Sequence, residues 1–359
     1  MTLPSSRRTK RLATVLATVA VAAIALAGCA SGSSSSTSAS SAGASAGFGD
    51  LTVQLSWIKN EEFSGEFFAD SAGYYSDAGF DSVTLVPGPS TGAAELISGS
   101  ADIALSDAVS IGSVVSSEGA PLKIIGTTYQ KNPFTVLSLK GGGNIATPAD
   151  LKGKKIGVQD SNTALFKALL AANGIAESDL TIVPVQYDPA PLLNGEVDGF
   201  IAYLTNEAIT VAASGVQTTN LPFADNGLPF VAETITTTDD MIANNRDALK
   251  AFLVAEIKGW TDAVKDPAAG AKLAVDVYGK DLDLNLDNST AGAKVQAEDL
   301  VTSDETKTNG LFTISDTLQS ETVKSLAGAG ITLKASDLFD LSLLDEVYQE
   351  NPDLVAYAG

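Results

Sequence analysis

The strongest constraint on this chain is a pattern it uses twice. ELISGSADIALSDA at 95–108 and PLLNGEVDGFIAYLTNEA at 191–208 share one order: a short helical run, Gly-x-x-Asp, a buried strand, and polar residues at the strand's end. Strands alternate with helices around each copy. Leu51, Val53 and Leu55 alternate with polar residues and open the first half, with further strands predicted at 82–86, 102–105, 122–127 and 134–140. The second half repeats the rhythm with strands at 155–159, 180–185 and 200–203, before a last strand at 234–242. Strands interleaved with helices build a mostly parallel sheet covered on both faces, because a parallel connection must travel back along the sheet before the next strand begins. Two such halves predict an α/β chain of two lobes with a cleft between them. The expected division is 49–140 plus 240–359 for the first lobe and 141–239 for the second, with Gly141-Gly142-Gly143 as an inter-lobe connection. Helical segments at 246–264, 268–278, 290–299, 315–327 and 341–351 form a tail that returns to the first lobe.

In sheets of this kind the ligand crevice lies outside the carboxyl ends of the strands. Trp57 stands at such an end, where its rigid indole face can stack on a flat ligand. Phe63, beyond the polar loop Lys59-Asn60-Glu61-Glu62, reads equally as a stacking partner and as core. Phe67, Phe68, Tyr74, Tyr75 and Phe80 read as helix-to-sheet core. Polar groups recur at the other strand ends: Ser106 with Asp107, then Tyr129 with Gln130. Asp107 reads equally as a hydrogen-bonding contact and as a solvated loop carboxylate. Asp160, Ser161, Asn162 and Thr163 open a helix whose N-terminal N–H groups can donate to a carbonyl or a phosphate. Tyr187, Tyr203, Asn206 and Glu207 complete the set of candidate ligand contacts.

Residues 1–48 read as no part of this fold. Arg7, Arg8, Lys10 and Arg11 precede an uncharged apolar run at 12–27, the layout of a secretory signal. Cys29 is the one cysteine, so no disulfide can form within the chain. Its LAGC context resembles the bacterial lipobox, which implies a 1–28 signal peptide and a diacylated Cys29 anchored in the membrane. A Gly/Ser/Ala-rich tether then spans 29–48.

The formal net charge is −21, and without the four cations and no acids of residues 1–28 the remainder carries −25. Such a body repels phosphate backbones, which excludes nucleic acid as a partner. Histidine is absent altogether. The commonest general base and metal ligand are therefore missing, and neither a cofactor nor a metal is expected.

LSWIKNEEFSGEFFADSAGYYSDAGFD, SGSADIALSDA, PADLKGKKIGV, LLNGEVDGFIAYLTNEA and FDLSLLDEV together resemble the solute-binding lipoproteins of ABC importers. The similarity is to the group akin to the thiamine-pyrimidine synthases, across about residues 50–359. That group holds binders of thiamine-precursor pyrimidines, riboflavin and, more distantly, sulfonates and taurine. The resemblance implies a type II periplasmic-binding-protein clamshell, a small-molecule ligand and an ABC permease subunit as partner. It implies that Trp57 stacks, faced by Phe63 or Tyr129, while Asp107, Asn206 and Glu207 orient the ligand. The chain departs from the pyrimidine binders, which often carry an Asn-His pair after the Trp loop, where it reads Glu62-Phe63-Ser64-Gly65. That is nearer the flavin-type pattern. Ala208 stands where a proline often follows Asn-Glu. Pyrimidine-synthesising members use a histidine and need cysteine and iron, a requirement this chain does not meet. A thiamine-precursor pyrimidine is the leading ligand, riboflavin the alternative, and a sensor or scaffold lipoprotein the reading of another class.

Overall fold

The computed structural model describes residues 47–357. The signal, Cys29 and nearly all of the tether lie outside the described residues. Ten strands form two five-stranded sheets: β1 (Gly49–Gln54), β2 (Phe80–Val86), β3 (Ile103–Asp107), β4 (Leu122–Tyr129) and β10 (Ala232–Thr238) in the first, and β5 (Phe134–Leu139), β6 (Lys155–Val158), β7 (Thr181–Pro184), β8 (Gly199–Tyr203) and β9 (Thr218–Pro222) in the second. The first sheet runs in the order β2-β1-β3-β10-β4 and the second in the order β7-β6-β8-β5-β9. The orders match strand for strand. In each, three parallel strands are followed by one antiparallel strand and a final strand.

The antiparallel strand in each sheet arrives from the other one. β4 ends the first sheet's opening run, and after four residues the chain re-enters as β5 of the second. β9 ends the second, and the chain returns as β10 of the first. The two connections are therefore 130–133 and 223–231, not the glycine run and 239/240. Gly141–Gly143 lies instead in a turn of the second sheet after β5, where Gly143 packs so close to the Asp198 backbone that a side chain would clash. Position in the chain suggested the earlier boundaries, whereas strand pairing decides sheet membership.

The duplicated Gly-x-x-Asp has one structural meaning in both halves. Gly99 and Gly195 each adopt φ near +72°, the left-handed turn that glycine adopts without steric cost. Asp102 then accepts from the Thr52 amide of β1 at 2.8 Å, and Asp198 accepts from the Lys155 amide of β6 at 2.8 Å. Each aspartate ties the entry of one strand to the parallel strand beside it, β3 to β1 and β8 to β6.

The core of the first lobe packs Phe63, Phe67, Tyr75 and Phe80 against β1, β3 and the long helix Arg246–Lys265. Phe68 and Tyr74 pack at its edge. That helix crosses Ser64–Ser71 where Gly259 meets Gly65. A second core is continuous between the lobes, joining Leu96, Ile111 and Ile124 to Phe134, Val136 and Phe166. The tail also departs from a simple return to the first lobe. Its helix Asp316–Gly328 packs on the second-lobe helix Thr163–Ala172, and Leu286–Val295 packs on Glu207–Ala213.

Candidate functional site

The carboxyl ends of β1, β2 and β3 in one sheet face those of β6, β7 and β8 in the other, around a cavity of about 460 Å³. That volume falls within the range of small-molecule sites, ~300–1,000 Å³. The first lobe contributes Ser56, Trp57, Pro89, Ser90, Thr91, Ser106 and Asp107, and the second contributes Gln159, Ser161, Asn162, Tyr187, Tyr203, Asn206 and Glu207. Trp57 and Tyr187 meet across it, with ring centroids 4.8 Å apart and planes at 60°. Tyr187 is fixed in turn by Ser161, hydroxyl to hydroxyl at 2.9 Å. A flat ligand would find an aromatic wall from each lobe.

Several polar groups of the lining are already occupied. Ser106 Oγ donates to the Thr91 carbonyl at 2.7 Å. Asp107 caps the helix Ala108–Glu118, accepting from the amides of Val109 and Ser110 at 2.8 and 2.9 Å and from Ser110 Oγ at 2.6 Å. It lines the cavity, but its oxygens are spent on the helix. Gln159 donates to the Ile201 carbonyl and accepts from Asn162. Glu207 is held by the Tyr203 amide at 2.8 Å, and burial still pushes its carboxyl above the usual range. Tyr203 rests edge-on against Phe134, 4.7 Å between centroids.

Of the candidate contacts named from sequence, Trp57, Ser106, Asp107, Ser161, Asn162, Tyr187, Tyr203, Asn206 and Glu207 come together at the cavity. Five do not. Phe63 is fully buried, edge-on to Phe67 in the first-lobe core, because its turn runs directly into the helix Ser64–Ser71 and carries the ring inward. Tyr129 is fully buried, with its hydroxyl donating to Gln296 at 2.8 Å, and Gln130 donates to the Thr313 carbonyl at 2.9 Å. Both strand-end residues are covered by the C-terminal tail. Asp160 and Thr163 flank the lining without joining it, since the turn Asp160–Asn162 presents Ser161 and Asn162 instead.

Sequence reasoning missed Glu62 and Glu233, both of which line the cavity and are more than nine-tenths buried. Glu62 sits in the turn Glu61–Phe63, whose first residues are capped by Asn60. Glu233 lies on a bulge of β10. Ala232 and Thr234 pair with β3 and with β4 while Glu233 is left out on both sides, with φ at +46°. The bulge turns a carboxyl out of a sheet and toward the cavity. Ser56 Oγ reaches its two oxygens at 3.1 and 3.0 Å. The Glu62 and Glu233 carboxyls face each other at the cavity wall, and burial pushes Glu62 up to about 7 and Glu233 well above the carboxylate range. The run of acids at 61–62 was visible in the sequence, but no local signal marks a bulge at 233.

Among the described residues, no lysine, arginine or histidine lines the cavity. Among the described residues, no group of three or more His, Cys, Asp or Glu side chains is arranged to hold a metal ion. No helix of the described residues is long and apolar enough to cross a membrane.

The family model described as "NMT1/THI5 like" matches residues 60–270. The riboflavin-binding protein RibY of Chloroflexus aurantiacus is 25% identical over 232 residues, 60% of this chain and 63% of that protein. The 4-amino-5-hydroxymethyl-2-methylpyrimidine phosphate synthase of Schizosaccharomyces pombe is 30% identical over 237 residues, 60% of this chain and 66% of that protein. The match spans just under two thirds of the length of each. Among solved structures, the alkanesulfonate-binding protein SsuA of Xanthomonas axonopodis pv. citri, bound to MOPS, aligns with a TM-score of 0.60 at 15% identity, covering 80% of this chain and 95% of that one. The two-lobed α/β fold is thus that of periplasmic binding proteins.

Proposed function

The chain belongs to the NMT1/THI5-like family, and from that premise we propose that it is an extracytoplasmic solute-binding lipoprotein of an ABC importer. It captures a small planar heteroaromatic ligand between its lobes and hands it to a permease. The observation that carries this reading is the aromatic pair Trp57–Tyr187, one ring from each lobe, at the mouth of a cavity of ligand size. Stacking between two aromatic faces selects flat rings, and lobe movement about 130–133 and 223–231 would part the two rings to admit a ligand and close them on it. Asn206 and the second oxygen of Glu207 orient the ring by hydrogen bonds. Cys29 carries the lipid.

A thiamine-precursor pyrimidine, such as hydroxymethylpyrimidine or its formylamino analogue, is the leading ligand, because a buried carboxylate accepts well from an exocyclic ring amine. The likeness to a protein named riboflavin-binding favours a flavin as the second reading. The cavity's lack of any cation speaks against a sulfonate, whatever the fold shared with SsuA. A synthase activity is set aside because the chain has no histidine and its one cysteine is Cys29.

Calorimetric and thermal-shift titration against hydroxymethylpyrimidine, thiamine, riboflavin and taurine tests the reading. A ligand present at ~100 times its Kd adds about 2.7 kcal/mol of stability. A response to a pyrimidine or a flavin, lost in Trp57→Ala, is the expected result. A response to taurine alone would refute it.

A further inference from the structure

Glu62 and Glu233 reach the cavity from two separate elements, the turn after β1 and the bulge on β10. Among the described residues, no backbone N–H, hydroxyl or amide donates to the Glu62 carboxylate. The group it faces is the Glu233 carboxyl. We propose that this pair is a charge-selecting subsite, in which a positively charged nitrogen of the ligand takes the place of the proton the two carboxyls otherwise share. The proposal deepens the reading of the cavity as the ligand site and rests on it.

Two adjacent carboxylates cannot both ionise in a dry site that offers no compensating cation, and none lines this cavity. The other groups facing the pair make matters worse. Glu61 and Glu207 add negative charge beside Glu62, and Glu66 does so beside Glu233. The phenols of Tyr129 and Tyr203 also face the pair and are themselves held protonated by burial and by these carboxylates. Asp107 is committed to its helix cap. Above the value near 7 to which burial pushes Glu62, the resting pair therefore holds one proton, carried on Glu233.

A monocationic ligand changes this without changing the charge that is buried. The Glu233 O–H bond breaks, the proton leaves to bulk solvent, and the ligand's charge neutralises the second carboxylate. Pair and ligand together then carry the same net charge as the protonated pair alone. A metal ion is a poorer occupant, since no third ligand of the needed kind is in place. An organic cation, held on its faces by Trp57 and Tyr187, uses the whole cavity.

The test is calorimetry of the full-length chain with thiamine, which carries a fixed positive charge, and with riboflavin, which is uncharged. Titrations in two buffers of different ionisation heat, between about pH 7.5 and pH 8.5 and so above the value near 7 to which burial pushes Glu62, count the protons exchanged. The expected result is one proton released per thiamine, with affinity rising about tenfold per pH unit while the resting pair is protonated. Glu233→Gln and Glu62→Gln should each abolish both the release and the slope, and two variants guard against one failing to fold. Thiamine binding without proton release, release that persists in both variants, or binding of riboflavin alone would overturn the subsite and leave the heteroaromatic cleft standing. Silence toward thiamine while hydroxymethylpyrimidine binds would overturn the subsite alone, and silence toward thiamine, riboflavin and hydroxymethylpyrimidine together would overturn the cleft and the subsite with it.

Discussion

The indole of Trp57 and the ring of Tyr187 lie 4.8 Å apart although each belongs to a different sheet. Trp57 is placed by the end of β1, and its carbonyl is held by the Gly88 amide at 2.7 Å. Tyr187 is placed beyond β7 and tied by Ser161. Trp57→Ala should weaken ligand binding by about ten- to a hundredfold, or ~1.4–2.8 kcal/mol, by loss of the stacking face. The melting temperature of the free protein should move little, because Trp57 is half-buried at the cavity. Calorimetry alongside a melting curve separates the two effects.

Asp102 and Asp198 make the same bond in the two halves, so their removal should cost similar amounts. Asp102→Ala and Asp198→Ala each leave a strand amide without its partner, at about 1–2 kcal/mol. Urea denaturation measures both. A loss confined to one of the pair would contradict the equivalence of the lobes.

Gly259→Ala should destabilise by about 1–3 kcal/mol or more. The added methyl would clash with the Gly65 carbonyl and forces apart two helices that close the first lobe. Thermal unfolding reads the effect; helix propensity alone would favour alanine by about 1 kcal/mol, so any loss of stability reports the clash.

Stability should fall as pH rises through neutrality. Burial among other acids pushes Glu66 up to about 7 from an ordinary value of 4.5, and it raises Glu256 further. Glu66 accepts from Trp260 Nε1 at 3.3 Å and Glu256 from the Tyr75 hydroxyl, while each has a second oxygen buried without a partner. The folded chain thus holds these protons more tightly than the unfolded one. The stabilisation from Glu66 is full below about 4.5 and is lost as pH climbs through about 7, while that from Glu256 goes on falling at higher pH. For Glu66 the loss by pH 8 is on the order of 3 kcal/mol. Melting temperatures from pH 5 to pH 8 should decline in the wild type and more gently in Glu66→Gln. A curve that rises over that interval would refute the assignment.

Much of this was legible because it is local. Alternation of period two marked β1, and the strand–turn–helix order marked the aspartates of both halves. The tail helices predicted from 246 onward lie close to the helices observed, beginning with Arg246–Lys265. Phe63 and Tyr129 were not legible in the same way. A residue at a strand end faces either the crevice or the packed side, and which one depends on the element that covers it. For Tyr129 that cover is Gln296, supplied by the distant tail.

By itself, then, the sequence determined two α/β halves of one design, an aromatic at the first strand's end, and a body with a large excess of acid and no histidine. Tertiary structure decided which strands share a sheet, and with it the site. β5 and β10 cross between sheets, so a residue of the returning strand meets a residue of the first turn. Glu62 and Glu233 become neighbours because β10 must pair on both sides with β3 and β4, and a one-residue excess in that pairing is expelled toward the cavity. Local periodicity shows the face on which a side chain lies. The group opposite it is fixed only when the sheets are assembled.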